Sequence, residues 1–125
     1  SEDVIGQAAL LWKMIYHTVH STLDLNPDFI IVRHEDLSRD PANGFRNLYT
    51  SLGLDYSHHV EKAILDSSSN ENPMELSRKK IHDVKLDSRA SMHNWKKRLT
   101  EDEIKRVREV TKETSQLFYT EAEWA

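Results

Sequence analysis

The 125-residue chain contains no cysteine. That excludes a disulfide framework, thiol catalysis and zinc–thiolate sites, and makes a cytoplasmic setting the expectation. Glycine is nearly as scarce: Gly6, Gly44 and Gly53 stand alone, so no Gly-rich loop is encoded to cradle a phosphate. No apolar run is long enough to span a bilayer, and the acidic opening Ser1-Glu2-Asp3 is the reverse of a signal peptide's basic start. A membrane partner is therefore not expected. The chain does not begin with Met, which is compatible with a fragment. No segment repeats or is low in complexity. With 38% hydrophobic and 30% charged residues, a core is affordable but apolar surface is not in surplus.

The formal net charge of −4 does not advertise nucleic-acid binding. Its distribution is uneven. Residues 78–98 hold eight Lys/Arg (Arg78, Lys79, Lys80, Lys85, Arg89, Lys96, Lys97, Arg98) against Asp83 and Asp87, whereas the remainder has nine bases against nineteen acids. A basic island in an acidic chain points to a local anion site; a solvated basic loop is the other reading.

Helical periodicity predicts an amphipathic helix over Glu2–Leu23, with Ile5, Ala8, Trp12, Ile15, Tyr16, Val19 and Leu23 inward. Asp40-Pro41 opens a second helix, Pro41–Leu52, which carries Phe45, Leu48, Tyr49 and Leu52 on one side and can close at Gly53. Ser57 caps a third, His58–Leu65. The box Thr100…Glu103 starts a fourth, Glu101–Phe118, with Ile104, Val107, Thr111, Thr114 and Phe118 inward. Between Asp66 and Leu99 neither period is sustained, so 66–99 reads as a functional loop, with a helical turn allowed at Met74–Ile81. Phe29-Ile30-Ile31-Val32 has the apolar, β-branched character of a buried strand. The expected fold is mostly α with this one core β-strand. One strand cannot satisfy its own backbone groups, so another chain or preceding polypeptide should supply its neighbours.

The strand ends in His34-Glu35-Asp36-Leu37, followed by Asp40-Pro41 and a helix finishing in Leu52-Gly53-Leu54; later comes Arg89-Ala90-Ser91-Met92-His93-Asn94-Trp95-Lys96. In that order, these motifs resemble the PAPS-dependent sulfotransferases, which have a strand ending in Tyr-Glu-Asp-Leu, a helix opened by Asp-Pro, and an Arg-Lys-Gly…Trp-Lys cofactor loop. The resemblance implies the C-terminal part of a three-layer α/β, P-loop-type fold. It implies transfer of a sulfuryl group from PAPS to an acceptor hydroxyl or amine on a small molecule or carbohydrate, releasing adenosine 3′,5′-bisphosphate. The phosphosulfate loop and the catalytic base would lie upstream. Residues 1–125 would then be one inactive segment that needs the upstream half of the same polypeptide, with homodimerisation as an option.

By resemblance, Arg89 is the leading candidate for the 3′-phosphate, which suits a rigid, always-charged guanidinium. Anchored on Trp95, the family's Gly falls at Ala90, its second basic residue at Arg89 and its leading Arg at Ser88. A shifted register would put the leading Arg on Arg89 and the Gly on Ser91. His34 takes the place of the family's Tyr near the adenine, and an imidazole can stack on a base. Ser68 aligns with a Thr near the adenine, where Asn70 replaces an aromatic residue; Ser67 or Ser69 would serve if the register slips. Glu35 and Asp36 resemble a structural rather than a catalytic pair. Trp95 should anchor the loop by burial. The seven histidines offer no metal set, since His17/His20 and His58-His59 lack a carboxylate at matching spacing. A helical interaction domain that pairs its strand with a partner is the competing, non-enzymatic reading.

Overall fold

The computed structural model describes residues 3–75 and 85–124. Among these lie seven α-helices: α1 (Val4–Leu23), α2 (His34–Arg39), α3 (Pro41–Ser51), α4 (His58–Ser68), α5 (Ser88–Ser91), α6 (Asn94–Arg98) and α7 (Glu101–Ser115). A 3-10 turn follows at Glu121–Trp124. The chain divides into two compact units, one of Ser1–Ile31 with Leu99–Ala125, the other of Val32–Arg98.

In the first unit α1 and α7 lie side by side. Asp3 pairs with Arg106, Lys13 Nζ donates to Glu113 Oε2 at 3.1 Å, and the rings of Tyr16 and His20 meet Phe118. These contacts climb both helices in the same direction, so the two run parallel. Both start on well-made caps. The Asp3 carboxylate accepts from the Gly6 N–H at 2.9 Å. Thr100 and Glu103 form the reciprocal capping box expected of their spacing. Gly6 matters here: a Cβ would lie 2.2 Å from Asp3 Oδ2 and 3.0 Å from Arg106 Nη2.

The inward stripe of α7 is the one its periodicity predicts. Thr111 and Thr114 are buried and Ile104 and Val107 are half-buried; the helix ends at Ser115 rather than at the expected Phe118, which follows it, also half-buried. On α1 the covered line is rotated from the expected face. Ala9 is buried and Ile5 and Trp12 are half-buried, but Ala8 and Ile15 are exposed, as are Leu11 and Met14. Apolar residues circle α1, and α7 covers only one side of it.

The expected core strand is absent. Phe29–Val32 takes no regular secondary structure, no strand occurs among the described residues, and its side chains are exposed rather than core. The α/β expectation is corrected to an all-helical structure over the described residues. The physical reason is the one that made the strand conspicuous. An apolar β-branched run favours extended backbone, but a strand exists only with a partner ladder, and no described segment supplies one. The polar residues after it also fold differently. His34-Glu35-Asp36 is not a strand tip but the first turn of α2, where acidic side chains suit the helix N-terminus and Arg39 suits the last turn.

In the second unit Asp40 caps α3 and Pro41 occupies its first position, as expected. Gly44 lets α2 approach, since a Cβ there would lie 3.1 Å from Leu37 Cδ2 and 3.3 Å from its Cα. Gly53, with φ of 67°, takes the left-handed conformation after α3. Helices α3 and α4 are tied by the Arg46–Glu61 ion pair, by Arg46 over the Tyr56 ring at 5.3 Å, and by the edge-on Tyr49–Tyr56 contact. Helix α4 runs past Leu65 to Ser68, and the Ser67 and Ser68 hydroxyls donate back to the Ala63 and Ile64 carbonyls, each at 2.7 Å. The span 66–99, expected as a loop, also holds α5 and α6. Met74 and Glu75 are not helical. The rest of the suggested turn, with Arg78, Lys79, Lys80 and Asp83 of the basic island, lies outside the described residues.

Candidate functional site

Within the second unit, three segments distant in sequence meet: the end of α2, the end of α4 and the start of α5. Asp87 makes the meeting possible. Its carboxylate accepts from the Ala90 N–H at 3.0 Å and caps α5, while its own N–H donates to the Pro73 carbonyl at 3.0 Å. Leu86 N–H donates to the Ser67 carbonyl at 3.0 Å, fixing the approach to α4.

Ser88, the first residue of α5, then crosslinks the site. Its hydroxyl donates to the Ser38 carbonyl at 2.8 Å and lies 3.4 Å from the Ser68 carbonyl. Ser38 is buried, and its own hydroxyl lies 3.3–3.4 Å from the His34 ring nitrogens. Arg89 Nε donates to the Arg39 carbonyl at 2.7 Å. The structure thus brings together all five candidates, His34, Ser68, Ser88, Arg89 and Ala90.

Their donors are not equally free. The Ser68 hydroxyl is spent on Ile64, the Ser88 hydroxyl on Ser38, and the Ala90 N–H on Asp87. These three shape the turn. Arg89 is exposed, and with Nε seated on a carbonyl it keeps two Nη groups for which no described residue is an acceptor. His34 presents an exposed imidazole with one contact to Ser38. Anchoring at Nε leaves the guanidinium less side-chain freedom to lose should its Nη groups meet an acceptor.

Charges around Arg89 are arranged rather than diffuse. The Asp40 carboxyl is held below the usual carboxylate range by the Asn43 side-chain and backbone donors, with smaller help from Arg89 and Arg46. Asp36 is likewise lowered, first by its hydrogen bonds from Arg33, at 2.7 Å from Nε and 2.6 Å from Nη2. A carboxylate gripped in this way is a poor general base, so Asp36 is a structural anchor of α2. Trp95 is only half-buried, with Lys96 Nζ 5.5 Å from its ring centroid, so the deep anchor expected of it is a partial one. Ser38 and the Arg39 carbonyl are site members that sequence reading missed. No motif marks a serine whose role is to be buried between a histidine and a backbone carbonyl's donor.

No described helix is long and apolar enough to cross a membrane. In comparison with known proteins, a family model described as a sulfotransferase domain matches residues 4–119. No curated protein and no solved structure matches the chain.

Proposed function

The chain belongs to the sulfotransferase domain family, and from that premise we propose that it is the C-terminal, cofactor-gripping part of an enzyme using PAPS. PAPS supplies the sulfuryl group, which passes to an acceptor hydroxyl or amine on a small molecule or carbohydrate. The observation that carries this reading is Arg89, seated through Nε on the Arg39 carbonyl with both Nη groups directed to no described acceptor. That donor set fits a phosphate dianion, which a guanidinium meets with two parallel N–H groups.

In this reading Arg89 binds the 3′-phosphate of the nucleotide. Ser88 and Ala90 act indirectly, by holding the turn that aims Arg89, since their own donors are engaged. The exposed His34 ring offers a face to the adenine, while Ser68 sets the wall behind Ser88. Nothing in this set activates an acceptor hydroxyl. Asp36 is gripped by Arg33, so the base and the phosphosulfate donors are assigned to further polypeptide of the same protein. The apolar sides of α1 that α7 leaves exposed, Leu11, Met14 and Ile15, support a need for such polypeptide or for a second copy.

Titration of the intact parent protein with adenosine 3′,5′-bisphosphate tests the reading. Binding that Arg89→Ala weakens supports it; full-strength binding by that variant removes its foundation.

A further inference from the structure

Asn43-Gly44 is the one Asn-Gly pair in the chain; the other asparagines precede Pro27, Leu48, Glu71, Pro73 and Trp95. We propose that Asn43 is a spontaneous deamidation site, gated by the first turn of α3 and held shut by the Asp40 cap. The chemistry needs only water. The Gly44 backbone nitrogen gives its proton to a solvent base and attacks Asn43 Cγ. A C–N bond forms, the Cγ–Nδ2 bond breaks and ammonia leaves, closing a five-membered succinimide. Water then opens either carbonyl, giving aspartate or isoaspartate. Glycine in the second position removes the side chain that would hinder the attack.

The fold holds both reacting groups elsewhere. The Gly44 N–H donates to the Asp40 carbonyl at 2.8 Å, and Asn43 Nδ2 donates to Asp40 Oδ2 at 2.8 Å. Asn43 N–H makes a longer bond of 3.4 Å to Asp40 Oδ1. Attack therefore requires this turn to open. The same packing gives each residue of the labile pair a structural role. Asn43 is the partner of the cap, and Gly44 is the residue that lets Leu37 approach to 3.1 Å of where a Cβ would be.

The product undoes its own restraint. An amide donor facing the Asp40 carboxylate becomes a carboxylate facing it, and isoaspartate adds a backbone atom that breaks helical register. Arg39, whose carbonyl seats Arg89, directly precedes Asp40. Deamidation thus loosens the seat of the proposed phosphate donor; this last consequence rests on the functional reading, whereas the modification does not.

The test is a time course of the intact chain at mildly alkaline pH, read by peptide mass mapping. Deamidation is expected at Asn43 alone, slower by about tenfold or more in buffer than in denaturing urea, because opening of the turn precedes attack. Asp40→Ala is expected to speed it by about fivefold or more with helix content retained, through loss of charge-assisted bonds. Equal rates in buffer and urea, an unchanged rate in Asp40→Ala, or faster reaction at another asparagine would overturn the proposal. Should Asp40→Ala fail to fold, graded urea on the unaltered chain decides. The rate must rise below the unfolding midpoint, and a rate flat until global unfolding refutes a gate at the first turn.

Discussion

Thr114 is 1% exposed and its hydroxyl finds no hydrogen-bond partner among the described residues. Thr111, one turn earlier and equally enclosed, donates from its hydroxyl to the Val107 carbonyl at 2.8 Å. This pair gives an internally controlled experiment on the α1–α7 unit. Replacing either threonine by valine keeps β-branching and nearly the same shape, so helix propensity and rotamer preference change little. At position 114 the substitution removes an unsatisfied buried hydroxyl, whose desolvation costs about 1–3 kcal/mol. At 111 it removes a satisfied one, with a net loss of about 0.5–1.5 kcal/mol. Thr114→Val should therefore stabilise the chain by about 1 kcal/mol and Thr111→Val should destabilise it. With a urea m-value of about 1–3 kcal/mol/M, the midpoints should move in opposite directions by roughly 0.3–1 M each. Urea titration followed by far-UV circular dichroism measures this. If Thr114→Val lowers the midpoint, or if the two variants shift alike, the hydroxyl environments assigned to α7 are wrong.

Gly53→Ala should cost about 1 kcal/mol through left-handed strain alone, since a Cβ there would meet nothing within 4 Å; an unchanged urea midpoint would contradict that conformation. Asp36, lowered chiefly by the Arg33 hydrogen bonds, contributes stability that is complete above the ordinary carboxylate range and fades as pH falls through its lowered value. Asp36→Asn should therefore reduce stability slightly near neutrality and not at all at the acid end, and a deficit that grows on acidification would contradict the assignment; the half-exposed carboxylate keeps the effect small. Because Leu11, Met14 and Ile15 are exposed on α1, the isolated chain should associate as concentration rises, and sedimentation showing a monomer throughout would contradict a need for further covering.

Where the chain carried its own local punctuation, its structure was legible. Thr100 and Glu103 announce α7, and the spacing from Ile104 to Thr114 identifies its inward side, though not its end at Ser115. Asp40-Pro41 and Gly53 bracket α3 in the same way. Phe29–Val32 was misread because a short apolar run specifies extended backbone but not a partner, and pairing is a property of two segments. Helix α2 was overlooked although its signs were present: Glu35 and Asp36 at the start, Arg39 at the end, and Arg33 three residues before Asp36. A polar cluster after an apolar run is equally the pattern of a strand tip, and nothing local to 29–36 separates the two. At the site, His34, Ser68 and Ser88–Ala90 were named through family resemblance, and their meeting could not be computed from spacing. It depends on the Asp87 cap and the Ser88–Ser38 bond, both between groups that no linear pattern singles out.

The central claim is that Arg89 is a preorganised phosphate donor, and calorimetric titration of the intact parent protein with adenosine 3′,5′-bisphosphate tests it most directly. Loss of a charge-assisted contact of about 1.5–3 kcal/mol predicts that Arg89→Ala binds about ten- to a hundredfold more weakly. Lys97→Ala serves as the control: it is exposed on the neighbouring α6 and contributes only screened surface charge, so its effect should stay within about twofold. A large loss at Arg89 with little at Lys97 is the predicted result. Equal small losses at both would reduce the site to a diffuse basic field and contradict the account.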